Sequence, residues 1–173
     1  MGHLRRIKDP FRAALAARGL PEGSRLRILH VGRALEAKLA ERARAEERRN
    51  PRYHWLGELP RRQALRVLAR CRLLVLTSLS EGGANVISEA LAQRVPVLTT
   101  RIAGSLGLLG ARYPGTFPVG DTAALRALLE RAERDPRFYG RLASWCRRLR
   151  PLVRPARERA AWARLLRELE HVS

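Results

Sequence analysis

Short aliphatic runs alternate with longer amphipathic segments along nearly the whole chain, and that alternation leaves few folds open. The central run, Leu73-Leu74-Val75-Leu76-Thr77, is apolar without interruption, as in a parallel strand covered on both faces. Arg27–Val31, Tyr53–Leu56 and Val95–Thr99 read as further strands, with a short last one at Phe117-Pro118-Val119. Helical patterns lie between them, over Phe11–Arg18, Leu35–Arg49, Arg61–Arg70 and Asn85–Gln93. Gly19 with Pro21, and Asn50-Pro51, stop the first two. Asp121-Thr122 supplies an N-cap, and beyond it the chain is helical over Ala123–Arg134, Pro136–Arg148 and Pro155–Glu170. The expected class is α/β, a doubly wound parallel sheet with a helical C-terminal extension.

At 173 residues the chain is long enough for one domain with a sizeable core. No apolar run approaches the roughly 20 residues that cross a bilayer, and the N-terminus turns polar at once, which makes a cytoplasmic location the default expectation. Cys71 and Cys146 fit no metal or redox spacing; Cys71, among leucines, reads as a small core residue. The four histidines form no ligand cluster. The net charge of +19 is carried almost wholly by arginine, Lys8 and Lys38 being the two lysines. Those arginines are scattered among Ala, Leu and Glu on helix faces, as Arg42, Arg44, Arg48 and Arg49 are among Glu41, Glu46 and Glu47. That reads as solvated surface rather than a basic stripe; with 5% aromatic residues, no specific nucleic-acid partner is expected. An arginine-rich nucleic-acid binder stays open as an alternative, and the cationic surface would suit an anionic membrane.

In a doubly wound sheet, ligands bind beyond the carboxyl ends of the strands. Gly57-Glu58, Ser80–Ala90 and Ala103-Gly104-Ser105 follow three of those ends. In the second of these loops, Glu81 and Glu89 flank the pair Gly82-Gly83 where a strand turns into a helix. Glycines let a ligand approach the backbone, and the helix N-terminus attracts phosphate. Carboxylates accept hydrogen bonds from sugar hydroxyls, so the combination suits a nucleotide sugar. Val86, Ile87, Ala90 and Leu91 form the apolar stripe of the helix and Glu89 lies on its flank, within reach of a ribose diol. On residue types alone, a loop charge, a tight turn and a carboxylate at the helix dipole remain equally open.

Glu81 and Glu89, seven residues apart and followed by Ala90, resemble the E-x7-E element of retaining GT-B glycosyltransferases of family 4. Val95-Pro96-Val97 is similar to that family's A-x-G-x-P-V run, with Arg94 where glycine is usual. Arg101–Gly104 resembles its GG loop, Gly120-Asp121 its pxgD stop, and Trp55-Leu56-Gly57 its FLG strand end. Gly2–Lys8 looks like its GR-x4-K segment, with His3 in place of the arginine. The resemblance implies a Rossmann-like fold, one half of a GT-B enzyme, and a UDP-sugar donor. It implies catalytic roles for Glu81 and Lys8 and donor contacts from His3, Lys8, Gly57, Glu81, Gly82, Gly83, Ala84, Asn85, Val86 and Glu89. No metal or cofactor is expected, because no DxD-like pair is evident, and Lys8 would neutralise the leaving diphosphate.

A narrower likeness runs through His3-Leu4-Arg5 with Lys8-Asp9-Pro10, Glu81–Val86 and Pro114–Thr122, which resemble the selenosugar synthases of selenoneine biosynthesis. It implies UDP-N-acetylglucosamine as donor and selenophosphate as acceptor. Residues 1–150 would form the donor-binding domain and 151–173 a C-terminal helix. In the family, the segment ahead of Gly2 is the first strand of this domain, lying near the middle of the sheet. The expectation is a truncated or mis-started reading of a longer protein, with two unpaired strand edges. The acceptor-binding N-terminal half would then be a required partner, and a non-catalytic nucleotide-sugar-binding fragment is the alternative for the chain alone.

Overall fold

The computed structural model describes residues 1–81, 85–153 and 167. Five strands alternate with helices: β1 (Ile28–His30), β2 (Tyr53–Trp55), β3 (Leu74–Leu76), β4 (Val97–Thr100) and β5 (Thr116–Phe117). The helices are α1 (Arg12–Arg18), α2 (Ala37–Arg49), α3 (Arg61–Arg70), α4 (Asn85–Ala92), α5 (Ala103–Leu109), α6 (Thr122–Arg134) and α7 (Pro136–Leu149). Every ladder is parallel, as the sequence pattern requires, and the fold is Rossmann-like α/β. The strands form two sheets, however: β1 pairs with β2, and β3, β4 and β5 form a second sheet in that order.

This corrects the reading of Leu73–Thr77 as the central strand. β3 is an edge, and β4 is the strand flanked on both sides. Burial follows the pairing. All four residues of β4 are buried, whereas Leu29 in the middle of β1 is 41% exposed. Cys71, expected in the core, is likewise only half-buried, with its thiol on the Val67 carbonyl at 3.2 Å; Cys146 is the fully buried cysteine.

The helices form where apolar spacing and caps coincide. Asp121 accepts from the Ala124 amide at 2.8 Å to start α6, and Asp135 from the Phe138 amide at 2.9 Å to start α7, with Pro136 in its first turn. Their inward faces, including Leu125, Leu129, Phe138 and Leu142, close over β3–β5. Leu4, Phe11, Leu39 and Ala43 form a smaller core under α2. Between α1 and α2, the buried Glu46 accepts from Arg18 Nε at 2.9 Å and from Asn50 Nδ2 at 2.9 Å. Burial alone would raise this carboxyl; hydrogen bonds from Arg18, Asn50 and Arg49 outweigh it and hold the group below its ordinary range.

The sequence places Ala103-Gly104-Ser105 in a loop, yet it opens α5. Its glycines at 104 and 107 hide the helix from a propensity argument, each costing about 1 kcal/mol relative to alanine. Packing explains the choice at Gly104, where a Cβ would stand 2.4 Å from the Glu81 carbonyl oxygen. Buried Ser105 adds a 2.8 Å bond to Thr99 Oγ1. The helix expected over Pro155–Glu170 lies outside the described residues.

Residues 2–9 tie the two sheets together at their carboxyl ends. On the β1 side, Gly2 N donates to Val31 O at 2.8 Å and Leu4 N to Arg33 O at 2.9 Å, with a parallel bridge between Leu4 and Ala34. On the β3 side, Leu79 N donates to Ile7 O at 2.8 Å, and Thr77 Oγ1 reaches the carbonyls of Lys8 and Asp9, both at 2.9 Å. The approach needs Gly32: its φ is +147°, and a Cβ there would fall 2.0 Å from Gly2 O.

Candidate functional site

A 3₁₀ turn, Arg6–Lys8, brings the Lys8 ammonium over the end of β3, where it pairs with Glu81 Oε1. The same carboxylate oxygen accepts from Ser78 Oγ at 2.6 Å. Ser78 is fully buried, and its own carbonyl takes the Thr100 hydroxyl at 2.7 Å, so it is fixed from the β4 side. Gly104 lies against the Glu81 backbone. Glu81 is thus oriented from three directions by elements of the sheet, while Lys8, with 32% of its side chain exposed, faces the rim. An anion arriving there meets a cation whose present partner is a single carboxylate. The two catalytic candidates are therefore in contact.

The other candidates divide. His3 is half-buried on the same N-terminal segment and its Nδ1 accepts from the Arg33 amide at 3.3 Å. Gly57 lies just beyond the end of β2 at φ +67° and its carbonyl accepts from Gly32 N at 2.7 Å, which places it on the same rim. Asn85 is exposed at the start of α4, and Val86 packs partly into the main core. Glu89, half-buried on α4, pairs with the exposed Arg61 of α3 at 3.5 Å, and among the described residues no contact joins it to Glu81. Gly82, Gly83 and Ala84 lie outside the described residues.

Ser78 and Arg61 were not singled out by sequence reasoning. A serine directly after an aliphatic run was the available signal for Ser78, since strand-end hydroxyls face the rim. Nothing local distinguishes Arg61 from the other arginines.

Known proteins share this parallel α/β layer, and a family model places the chain among them. The chain belongs to the group 1 glycosyl transferases, whose family model matches residues 1–147. It is 35% identical over 79 residues to the putative teichuronic acid biosynthesis glycosyltransferase TuaC of Bacillus subtilis (strain 168), covering 46% of this chain and 20% of that protein. Among solved structures it is similar to Anabaena Alr3699/HepE in complex with UDP and glucose, at TM-score 0.74 and 21% identity, covering 88% of this chain and 42% of that one. It is also similar to sucrose-phosphate synthase (tll1590) of Thermosynechococcus elongatus, at TM-score 0.81 and 21% identity, covering 99% and 45%. The chain therefore spans less than half the length of these proteins. Among the described residues no helix is long and apolar enough to cross a membrane.

Proposed function

We propose that this chain is the donor-binding half of a retaining, family 4 glycosyltransferase that takes a UDP-sugar. The observation that carries the reading is the convergence of Lys8 Nζ and Ser78 Oγ on one oxygen of Glu81. A diphosphate at the rim would draw the Lys8 ammonium from the carboxylate and be neutralised by it, easing departure of UDP as the glycosidic bond breaks. Ser78 would keep Glu81 in place to accept from sugar hydroxyls. His3, Gly57, Asn85, Val86 and Glu89 would complete the donor site together with Gly82, Gly83 and Ala84, Glu89 taking the ribose diol. Anabaena Alr3699/HepE, with UDP and glucose bound, supports the donor class.

The finer reading is UDP-N-acetylglucosamine as donor and selenophosphate as acceptor, with the reaction completed by an N-terminal acceptor half. It rests on the His3–Pro10, Glu81–Val86 and Pro114–Thr122 segments. Calorimetric titration with UDP-N-acetylglucosamine and UDP-glucose tests the donor. Binding is expected to favour the former and to weaken by about 10- to 100-fold, or about 1.4–2.8 kcal/mol, in Lys8→Ala and Glu89→Ala. A folded sample that gives no heat with either sugar nucleotide refutes the donor site. Release of UDP with hydroxyl acceptors but not with selenophosphate, in the presence of the N-terminal half, refutes the acceptor.

A further inference from the structure

Two non-glycine residues among those described hold a positive φ, Asp9 at +41° and Arg94 at +62°. Aspartate visits the left-handed region readily because its short side chain bonds locally; arginine does not. Arg94 directly follows α4, where its N–H donates to Leu91 O at 3.1 Å and Val95 N donates to Ala90 O at 2.8 Å. That pair of bonds closes a helix through a left-handed residue, the position at which glycine is free of strain. Attraction to the helix dipole recovers part of what arginine loses there. Backbone strain of this kind persists where the side chain is used.

The surroundings of Arg94 indicate the use. With Gly140, Ala143, Ser144, Arg147 and Arg150 it lines an open groove of about 600 Å³. The α7 members recur at intervals of three and four, so they share one face of the helix. Small side chains leave about 10 Å of that face open, between Gly140 and Arg147. Among the described residues none of the three arginines pairs with a carboxylate. Two neighbours on α7 are engaged elsewhere, Arg141 over the Phe138 ring at 5.7 Å and Arg148 over the Trp145 ring at 5.2 Å. No acidic residue occurs from Pro136 to Val153.

Three like charges around one groove repel, and a ligand that relieves them must carry more than one negative charge. A carboxylate brings one, a phosphate monoester about two, and a diphosphate exceeds both. Each guanidinium presents a planar fork that fits two phosphate oxygens, and the Ser144 hydroxyl adds a donor. The groove is separate from the donor rim. Arg94 stands just ahead of β4, at the amino end of the sheet, whereas Lys8 and Glu81 lie at its carboxyl end.

We infer that Arg94, Arg147 and Arg150 form an anion site for a diphosphate-bearing ligand, at the opposite end of the sheet from the proposed donor site and independent of it.

The test is calorimetric titration with inorganic pyrophosphate in Lys8→Ala, where the donor rim has lost its cation. Saturable binding is expected, weakened at least about 10-fold by added Arg94→Gly or Arg147→Ala. Removing two exposed arginines of α2 instead, by Arg44→Ala with Arg48→Ala, should change it less than about twofold. If Lys8→Ala does not fold, the same ratios are read in the otherwise native chain. Repeating the titration with ADP and with geranyl diphosphate separates a nucleotide source of the diphosphate from a lipid one: the tighter ligand names the source. Arg94→Gly should meanwhile raise the thermal midpoint by about 2–4 °C, since glycine relieves the strain. Absence of saturable binding, an equal loss in the α2 pair, or a lowered midpoint in Arg94→Gly overturns the inference.

Discussion

His30 makes the fold sensitive to mild acid, and the size of the effect follows from its surroundings. The ring lies in β1 with Nδ1 3.1 Å from Tyr53 Oη and Nε2 3.1 Å from the Gly2 carbonyl. A neutral ring protonated at Nε2 satisfies both, donating to Gly2 and accepting from tyrosine. Burial, followed by the positive charge of the Met1 amine, pushes the group from 6.5 down to about 4, against the Gly2 hydrogen bond, which favours the charged form. Above pH 6.5 the ring is neutral in both folded and unfolded chains and contributes no pH dependence. Between pH 6.5 and 4 the unfolded chain takes up a proton that the folded chain refuses, so stability falls as pH falls. The full difference is about 3 kcal/mol, at 1.36 kcal/mol per pH unit, a large share of a typical 5–15 kcal/mol. Urea unfolding at pH 7.5, 5.5 and 4.5 should show this loss in the native protein and not in His30→Phe, which keeps an aromatic ring in the site. A His30 ring resonance that titrates near 6.5, or equal pH slopes in the two proteins, refutes the reasoning.

Two further outcomes follow from the contacts. Glu46→Gln removes the charge that Arg18 and Arg49 surround and is expected to cost about 2–3 kcal/mol at pH 7 by chemical denaturation. Because the native carboxyl is held below 4.5, its contribution is present above that pH and lost below it; the gap between native and variant should close towards pH 3. Gly104→Ala places a methyl 2.4 Å from the Glu81 carbonyl. It should cost about 1–3 kcal/mol and weaken UDP binding as Glu81 is displaced, and unchanged melting and affinity would show that α5 does not position the site.

Element types are legible in this sequence because short aliphatic runs alternate with longer segments of helical period, about 3.6, and the bounds of α3 match to the residue. Pairing was less legible. Leu73–Thr77 has the composition of a central strand and yet sits at an edge, because composition records which faces are covered and not whether a neighbour is present. The short helix α5 escaped for a related reason: its glycines serve a close approach to Glu81 that only the tertiary structure displays. In the candidate site, Lys8 and Glu81 are 73 residues apart; a resemblance named both, but neither it nor any local rule indicated their contact. Ser78, which orients Glu81, is one of many serines until β4 fixes it.

The hydrogen bonds that join residues 2–9 to the end of β3 are also those that shape the candidate site. Thr77 holds the Lys8 and Asp9 carbonyls, Ile7 accepts from Leu79, and the Lys8 ammonium closes on Glu81. The Lys8 side chain therefore has two roles that compete. In the ligand-free chain it clasps the segment to the second sheet; with a diphosphate at the rim, that ion pair would be exchanged for one to the ligand. Whatever the clasp contributes is subtracted from donor affinity, since a ligand shifts an equilibrium only by its differential affinity for the two arrangements. The backbone bonds from Thr77 and Leu79 do not involve the ammonium and survive that exchange. They keep the lysine's anchor in place while its charge moves, which allows one side chain to serve both the fold and the chemistry without either release of the segment or loss of register at the rim.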